Sequence, residues 1–131
     1  MLNIRVMLIV VSIALLLGAC SSVDKIGDLF QPGPGAQKLS GGIKSYEEGD
    51  YKSSQESIQK ALEMGLSSKD DLVSAHKYLA FIHCVSAREK QCRDEFRRAL
   101  EIDSNFDLKP AEAGHPVWGP VFRSVKGKPA K

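Results

Sequence analysis

The apolar residues fall into two patterns along the chain. Val6 to Leu17 runs without a charge and is interrupted only by Ser12. From Ala36 onward the apolar residues recur at helical spacing, and no alternating stretch predicts a strand. The first predicted helix carries Leu39, Ile43 and Tyr46 on one face; Gly41-Gly42 weakens it and Gly49-Asp50 breaks it. Asp50 suits the N-cap of a second helix, which turns Tyr51, Ser54, Ile58, Ala61 and Leu62 inward and stops near Gly65. Ser68 heads a third, with Asp71 placed for a weak capping box and Leu72, Ala75, Leu79 and Ile82 as its inner face. A tight turn at Ser86-Ala87 leads to a fourth, with Cys92, Phe96, Ala99 and Leu100 facing in. Four helices joined by short turns predict two antiparallel hairpins.

The hairpins resemble one another. Gly49-Asp50-Tyr51 through Lys60-Ala61-Leu62-Glu63 resembles the second half of a tetratricopeptide repeat, and Ala87 through Arg98-Ala99-Leu100-Glu101 returns to the same frame. Ala61 and Ala99 lie 38 residues apart, against a standard period of about 34; a longer connection around Leu66 to Asp70 accounts for the difference. Gly41-Gly42 stands where the repeat has Leu-Gly, and the closing proline is replaced by Leu66 and Ser104. Small residues, Ser54 and Ala61 in one copy and Cys92 and Ala99 in the other, fall where such helices pack closest. Two repeats leave an open end, and the segment from Phe106 to Val125 is the candidate to cover it. Within it, Pro110 to Gly114 reads as one helical turn, followed by a turn through His115 to Gly119 and a last short helix from Pro120. The expected class is all-α: two tetratricopeptide-like hairpins plus a C-terminal capping segment.

The first twenty residues are of another kind. A start with one charge at Arg5, a short apolar run and small residues before Cys20 make a secretory signal. The run is shorter than the roughly 20 apolar residues a membrane-spanning helix needs. Leu17-Gly18-Ala19-Cys20 resembles the lipobox of bacterial lipoproteins, which implies cleavage before Cys20 and acylation of its thiol. The expected organisation is a signal peptide over 1–19, a lipidated Cys20 and flexible tether over 20–36 with Gln31-Pro32-Gly33-Pro34-Gly35 as its breaker, a helical domain over 37–126, and a basic tail over 127–131. Ser21 after the cysteine resembles an outer-membrane address, with the domain in the periplasm; retention at the inner membrane is the other possibility. The 18 basic and 16 acidic side chains give a formal charge of +2, and loss of Arg5 lowers it by one. That balance points away from nucleic acid and from an electrostatic grip on membranes.

Candidate chemistry is sparse. Cys84 and Cys92 sit in one hairpin of a compartment that permits disulfides, though Cys92 also suits a small packing position. His76, His83, Cys84, Cys92 and His115 show no zinc-type spacing, so neither metal nor cofactor is expected. No serine sits in a G-x-S-x-G elbow, and Gly33 to Gly42 lacks the ending of a phosphate-binding loop, so no catalytic residue and no small-molecule substrate are expected. Trp118, with Phe122 and His115 near it, reads either as a cap over the second hairpin or as an exposed anchor for a partner.

Three stretches carry a closer resemblance. Tyr78 to Val85, Arg88 to Arg93, and Pro110-Ala111-Glu112-Ala113-Gly114-His115-Pro116-Val117-Trp118-Gly119-Pro120-Val121-Phe122-Arg123 look like the TssQ-type lipoproteins associated with type VI secretion. The resemblance covers about half of the chain beyond the leader. It implies an accessory envelope lipoprotein with a tetratricopeptide-like fold, a lipid anchor in the membrane and a protein partner. It supplies no catalytic residues. The competing expectations are an envelope or pilus-assembly lipoprotein without a type VI role, and a redox or metal-handling lipoprotein using Cys84 and Cys92.

Overall fold

Local signals start and stop each helix of the computed structural model, which describes residues 31–127. Helix α1 spans Pro34–Glu47 and opens with proline in its first turn, where a missing amide costs nothing. It therefore begins inside the segment 20–36 read as a tether: Pro32-Gly33 forms the approach, and Pro34-Gly35 belong to the helix. Gly49, at φ +82°, ends the turn after it. Asp50 caps α2 (Tyr51–Met64) by accepting from the Ser53 amide at 3.0 Å. Ser68 caps α3 (Lys69–Val85) through the Asp71 amide at 3.3 Å. A turn through Ser86 and Ala87, the latter at φ +58°, leads into α4 (Glu89–Ile102). The chain closes with the short turn α5 (Pro110–Ala113) and with α6 (Trp118–Lys126). Helix α6 starts before the expected Pro120, which falls in its first turn where no intrahelical amide bond is required.

The fold is all-α, built of helical hairpins, with no strand among the described residues. Helices α1 and α2 form one hairpin and α3 and α4 the next, while α6 lies against both α4 and α3 and ends the stack. No helix among the described residues is long and apolar enough to cross a membrane.

Two apolar clusters share α3. Leu39, Ile58, Ala61, Ala75, Leu79 and Ile82 fill the space between α1, α2 and α3. Ala80, Phe81, Cys84, Cys92, Phe96, Leu108, Trp118, Phe122 and Val125 fill that between α3, α4 and the closing segment. Because neighbours cover α3 on more than one side, its burial exceeds the single stripe read from the sequence. Val73 is buried where Leu72 was expected, and Phe81 to Cys84 are buried in succession. Ser54, Ala61, Cys92 and Ala99, the recurring small residues, are all fully enclosed. Tyr51, expected to face inward, is instead 40% exposed, because it opens α2 at the rim of the first hairpin.

Close approach between the helices of the first hairpin explains one of the paired glycines. A Cβ on Gly42 would lie 2.7 Å from Ile58 Cγ1, whereas one on Gly41 would meet nothing within 4 Å. The Gly41-Gly42 pair does not interrupt α1, since packing against α2 outweighs a propensity penalty of about 1 kcal/mol per glycine.

Candidate functional site

The closing segment brings together the aromatic residues singled out in the sequence. Pro110 starts α5, and the Lys109 amide donates to Glu112 Oε2 at 3.0 Å, which fixes that turn against the end of the chain's long connection from α4. Trp118 is buried, with its ring stacked on Phe81 of α3 at a centroid distance of 4.3 Å. His115 covers the other side of the indole, nearly parallel at 3.3 Å, and its Nδ1 accepts from the Val117 amide at 3.2 Å. The indole N–H donates to the Glu112 carbonyl at 2.8 Å, so the polar edge of the ring is satisfied inside the segment. Phe122 meets Phe96 of α4 edge-on at 5.1 Å and Phe106 at 5.5 Å. The three residues form a cap over the second hairpin.

Polar contacts reinforce the cap and the α3–α4 hairpin in places the sequence did not announce. Lys77 on α3 and Glu112 on α5 pair at 2.7 Å, both largely withdrawn from solvent. The Lys77 ammonium also lies 4.8 Å from the centre of the Tyr78 ring. Glu95 on α4 is buried and engaged twice, by His76 Nδ1 at 2.6 Å and by Arg98 Nη1 at 2.6 Å. Breaking one partner from such a pair strands a charge in a poor solvent, which makes the Lys77–Glu112 and His76–Glu95 contacts specific fasteners between helices. They join residues 35 and 19 positions apart, distances over which no helical periodicity speaks.

An aromatic row links this cap to the first hairpin. Tyr51, Tyr46 and Tyr78 stand at centroid spacings of 5.4 and 5.1 Å, and Tyr78 meets Phe81 at 5.9 Å. Burial pushes the Tyr46 hydroxyl up to about 12, helped by the neighbouring Tyr51, Tyr78 and Glu112. Tyr78 is raised for the same first reason, with Glu112 next. Both phenols are therefore neutral at ordinary pH and act as packing groups.

Cys84 and Cys92 are joined by a disulfide across the α3–α4 turn, with Cα atoms 5.1 Å apart. Both lie within the larger apolar cluster, so the sulfurs face packed side chains and not solvent. His83 is buried with its Nδ1 unpartnered. Burial pushes its pKa down, the Arg88 charge pushes the same way, and Glu95 opposes them. His76 pairs with Glu95 on α4, while His115 belongs to the cap. Four of the five residues weighed as metal ligands are thus spread over three different tasks while His83 stands apart from them, and no group of three His, Cys, Asp or Glu side chains converges among the described residues. Cys20 with the lipobox, and the basic tail beyond Gly127, lie outside the described residues. Comparison of the chain with protein-family models, with curated proteins and with solved structures gave no match.

Proposed function

We propose that the chain is a lipoprotein held in the membrane through Cys20, with its helical domain in the periplasm. There it acts as a non-enzymatic binding and assembly accessory of a type VI secretion apparatus. The observation that carries the reading is the pairing of a lipobox, Leu17-Gly18-Ala19-Cys20, with a helical-hairpin domain whose end is closed by the stretch bearing the TssQ-like resemblance, Pro110 to Arg123. A diacylated cysteine holds a chain on a membrane because two acyl chains anchor where one does not. Helical hairpins of this kind offer broad surfaces for protein contact without a catalytic centre.

Two measurements test the proposal. Acyl labelling and membrane fractionation of Cys20→Ser should show loss of both label and membrane attachment; continued labelling refutes the anchor. Affinity capture of the wild-type chain from envelope extracts of its own cells should bring down components of the secretion apparatus. Reproducible capture of a pilus-assembly or other envelope complex in their place would reassign the function.

A further inference from the structure

A depression opens between the start of α2 and the turn joining α3 to α4, lined by Tyr51, Lys52, Gln55, Ile82, Ser86 and Arg88. Two cations border it, Lys52 and Arg88. Most lysines and arginines of the described residues have a carboxylate partner, as along α4, where Glu89–Arg93, Lys90–Asp94 and Arg97–Asp94 pair in sequence. Lys52 and Arg88 have no carboxylate within ion-pair distance among the described residues, and they border the same hollow. The Asp50 carboxylate is held by the Ser53 amide, with a weaker backbone bond from Lys52, and the Lys52 charge also acts on it without forming an ion pair.

Arg88 is positioned in advance. One guanidinium nitrogen donates to Gln55 Oε1 at 2.7 Å, while Nε is buried with no acceptor among the described residues. The remaining lining is apolar and hydroxylic: the buried Ile82, the half-exposed ring of Tyr51, and Ser86. The volume, about 180 Å³, is below the roughly 300–1,000 Å³ of pockets that hold cofactors and drug-sized ligands. It has room for a carboxylate and one apolar side chain. Two cations, one of them held in place by Gln55, favour a carboxylate through charge-assisted hydrogen bonds.

We infer that this depression is a binding site for a carboxylate of a partner polypeptide, with a neighbouring apolar side chain laid against Tyr51 and Ile82. The carboxylate comes from a Glu or Asp side chain or from a free chain end. The inference rests on the reading of the chain as a protein-binding accessory and gives its partner a chemistry.

The test is an NMR titration of the ¹⁵N-labelled full chain in detergent micelles with three short peptides. One ends in leucine with a free carboxylate and has no other acid; one is amidated and carries an internal Glu-Leu; the third is amidated and acid-free. Saturable shifts at the amides of residues 51–55 and 86–88 are expected with the first or the second, which separates chain end from side chain, and none with the third. Lys52→Gln, an exposed change that leaves the Arg88–Gln55 bond in place, should weaken that binding about tenfold with an unchanged thermal melt. The inference is overturned by no shift with either acidic peptide, by equal shifts with the acid-free one, by unchanged affinity in Lys52→Gln, or by acetate saturating the same amides as tightly. Capture from envelope extracts is read in parallel. A chain that captures its partner but binds neither acidic peptide loses this site and keeps its function; one that binds them but captures nothing keeps the site and loses the function.

Discussion

Replacing Trp118 with alanine tests whether the closing segment is part of the core. Trp118 is 8% exposed, stacked between Phe81 and His115, and donates to the Glu112 carbonyl. Burying an aromatic of ~150–250 Å² at ~25 cal/mol per Å² gives an upper bound of roughly 4 to 6 kcal/mol. Measured truncations of buried Phe and Trp to alanine cost about 3 to 5 kcal/mol. We expect that loss here, because the cavity would be walled by Phe81, which helix α3 and Phe96 hold in place. A domain of this size holds about 5 to 15 kcal/mol in all. At roughly 4 to 8 °C per kcal/mol, the melting temperature should drop by about 12 to 40 °C. Thermal melts followed by circular dichroism read the shift directly. Trp118→Phe should fall between the two, keeping the stack on Phe81 while losing the N–H bond to Glu112, worth about 1 kcal/mol. A drop below about 4 °C in Trp118→Ala, equivalent to roughly 1 kcal/mol, would refute the cap. If partner capture were lost in the same variant, the ring would be an interface anchor.

Three further outcomes follow from other parts of the structure. Gly42→Ala should destabilise by about 1 to 3 kcal/mol through its collision with Ile58, while Gly41→Ala, with open space around its Cβ, should stabilise by roughly 0.5 to 1 kcal/mol; urea denaturation giving both changes the same sign would contradict the packing of α1 on α2. Thiol titration of the denatured, unreduced chain should find Cys84 and Cys92 unreactive, and reduction should cost about 2 to 3 kcal/mol for so short a loop; two titratable thiols would show the bond to be absent. The folded pKa of His83 lies below its ordinary 6.5, so on acidification the unfolded chain takes up the proton first and the melting temperature should fall as pH drops below about 6.5. His83→Gln should flatten that slope below about pH 6.5, and an identical slope in the variant would remove His83 as its source.

What the sequence made legible is what neighbouring residues decide. Asp50 and Ser68 announce helix starts because a side-chain oxygen reaches an amide three residues on, and both bonds form. Pro110 and Gly114 bracket a turn for equally local reasons. The recurrence of Ser54 and Ala61 as Cys92 and Ala99 exposed the hairpin pairing, because close packing admits only small side chains at those points. The boundary missed at Pro34 comes from treating proline as a breaker where it opens a helix, and the one at Trp118 from setting Pro120 as the first helical residue where it falls later in the first turn. What stayed hidden joins distant segments. Lys77 and Glu95 read as ordinary surface charges until Glu112 and His76 are brought beside them. Nothing in the spacing of Lys52 and Arg88 places them on one hollow, since one opens α2 and the other closes the turn before α4.

The placement of α6 also sets the order in which the domain can be completed as the chain emerges from its N-terminal side. Leu39, Ile58, Ala61, Ala75, Leu79 and Ile82 are all available once α3 has appeared, so the smaller cluster can assemble early. Phe81 and Phe96 appear with α3 and α4, but their cover, Trp118 and Phe122, arrives only with the closing helix. Until then the aromatic side of α3 is open to water. A chain lacking α6 therefore leaves apolar surface uncovered, the kind of surface that makes an incomplete fold prone to aggregate until the last helix docks.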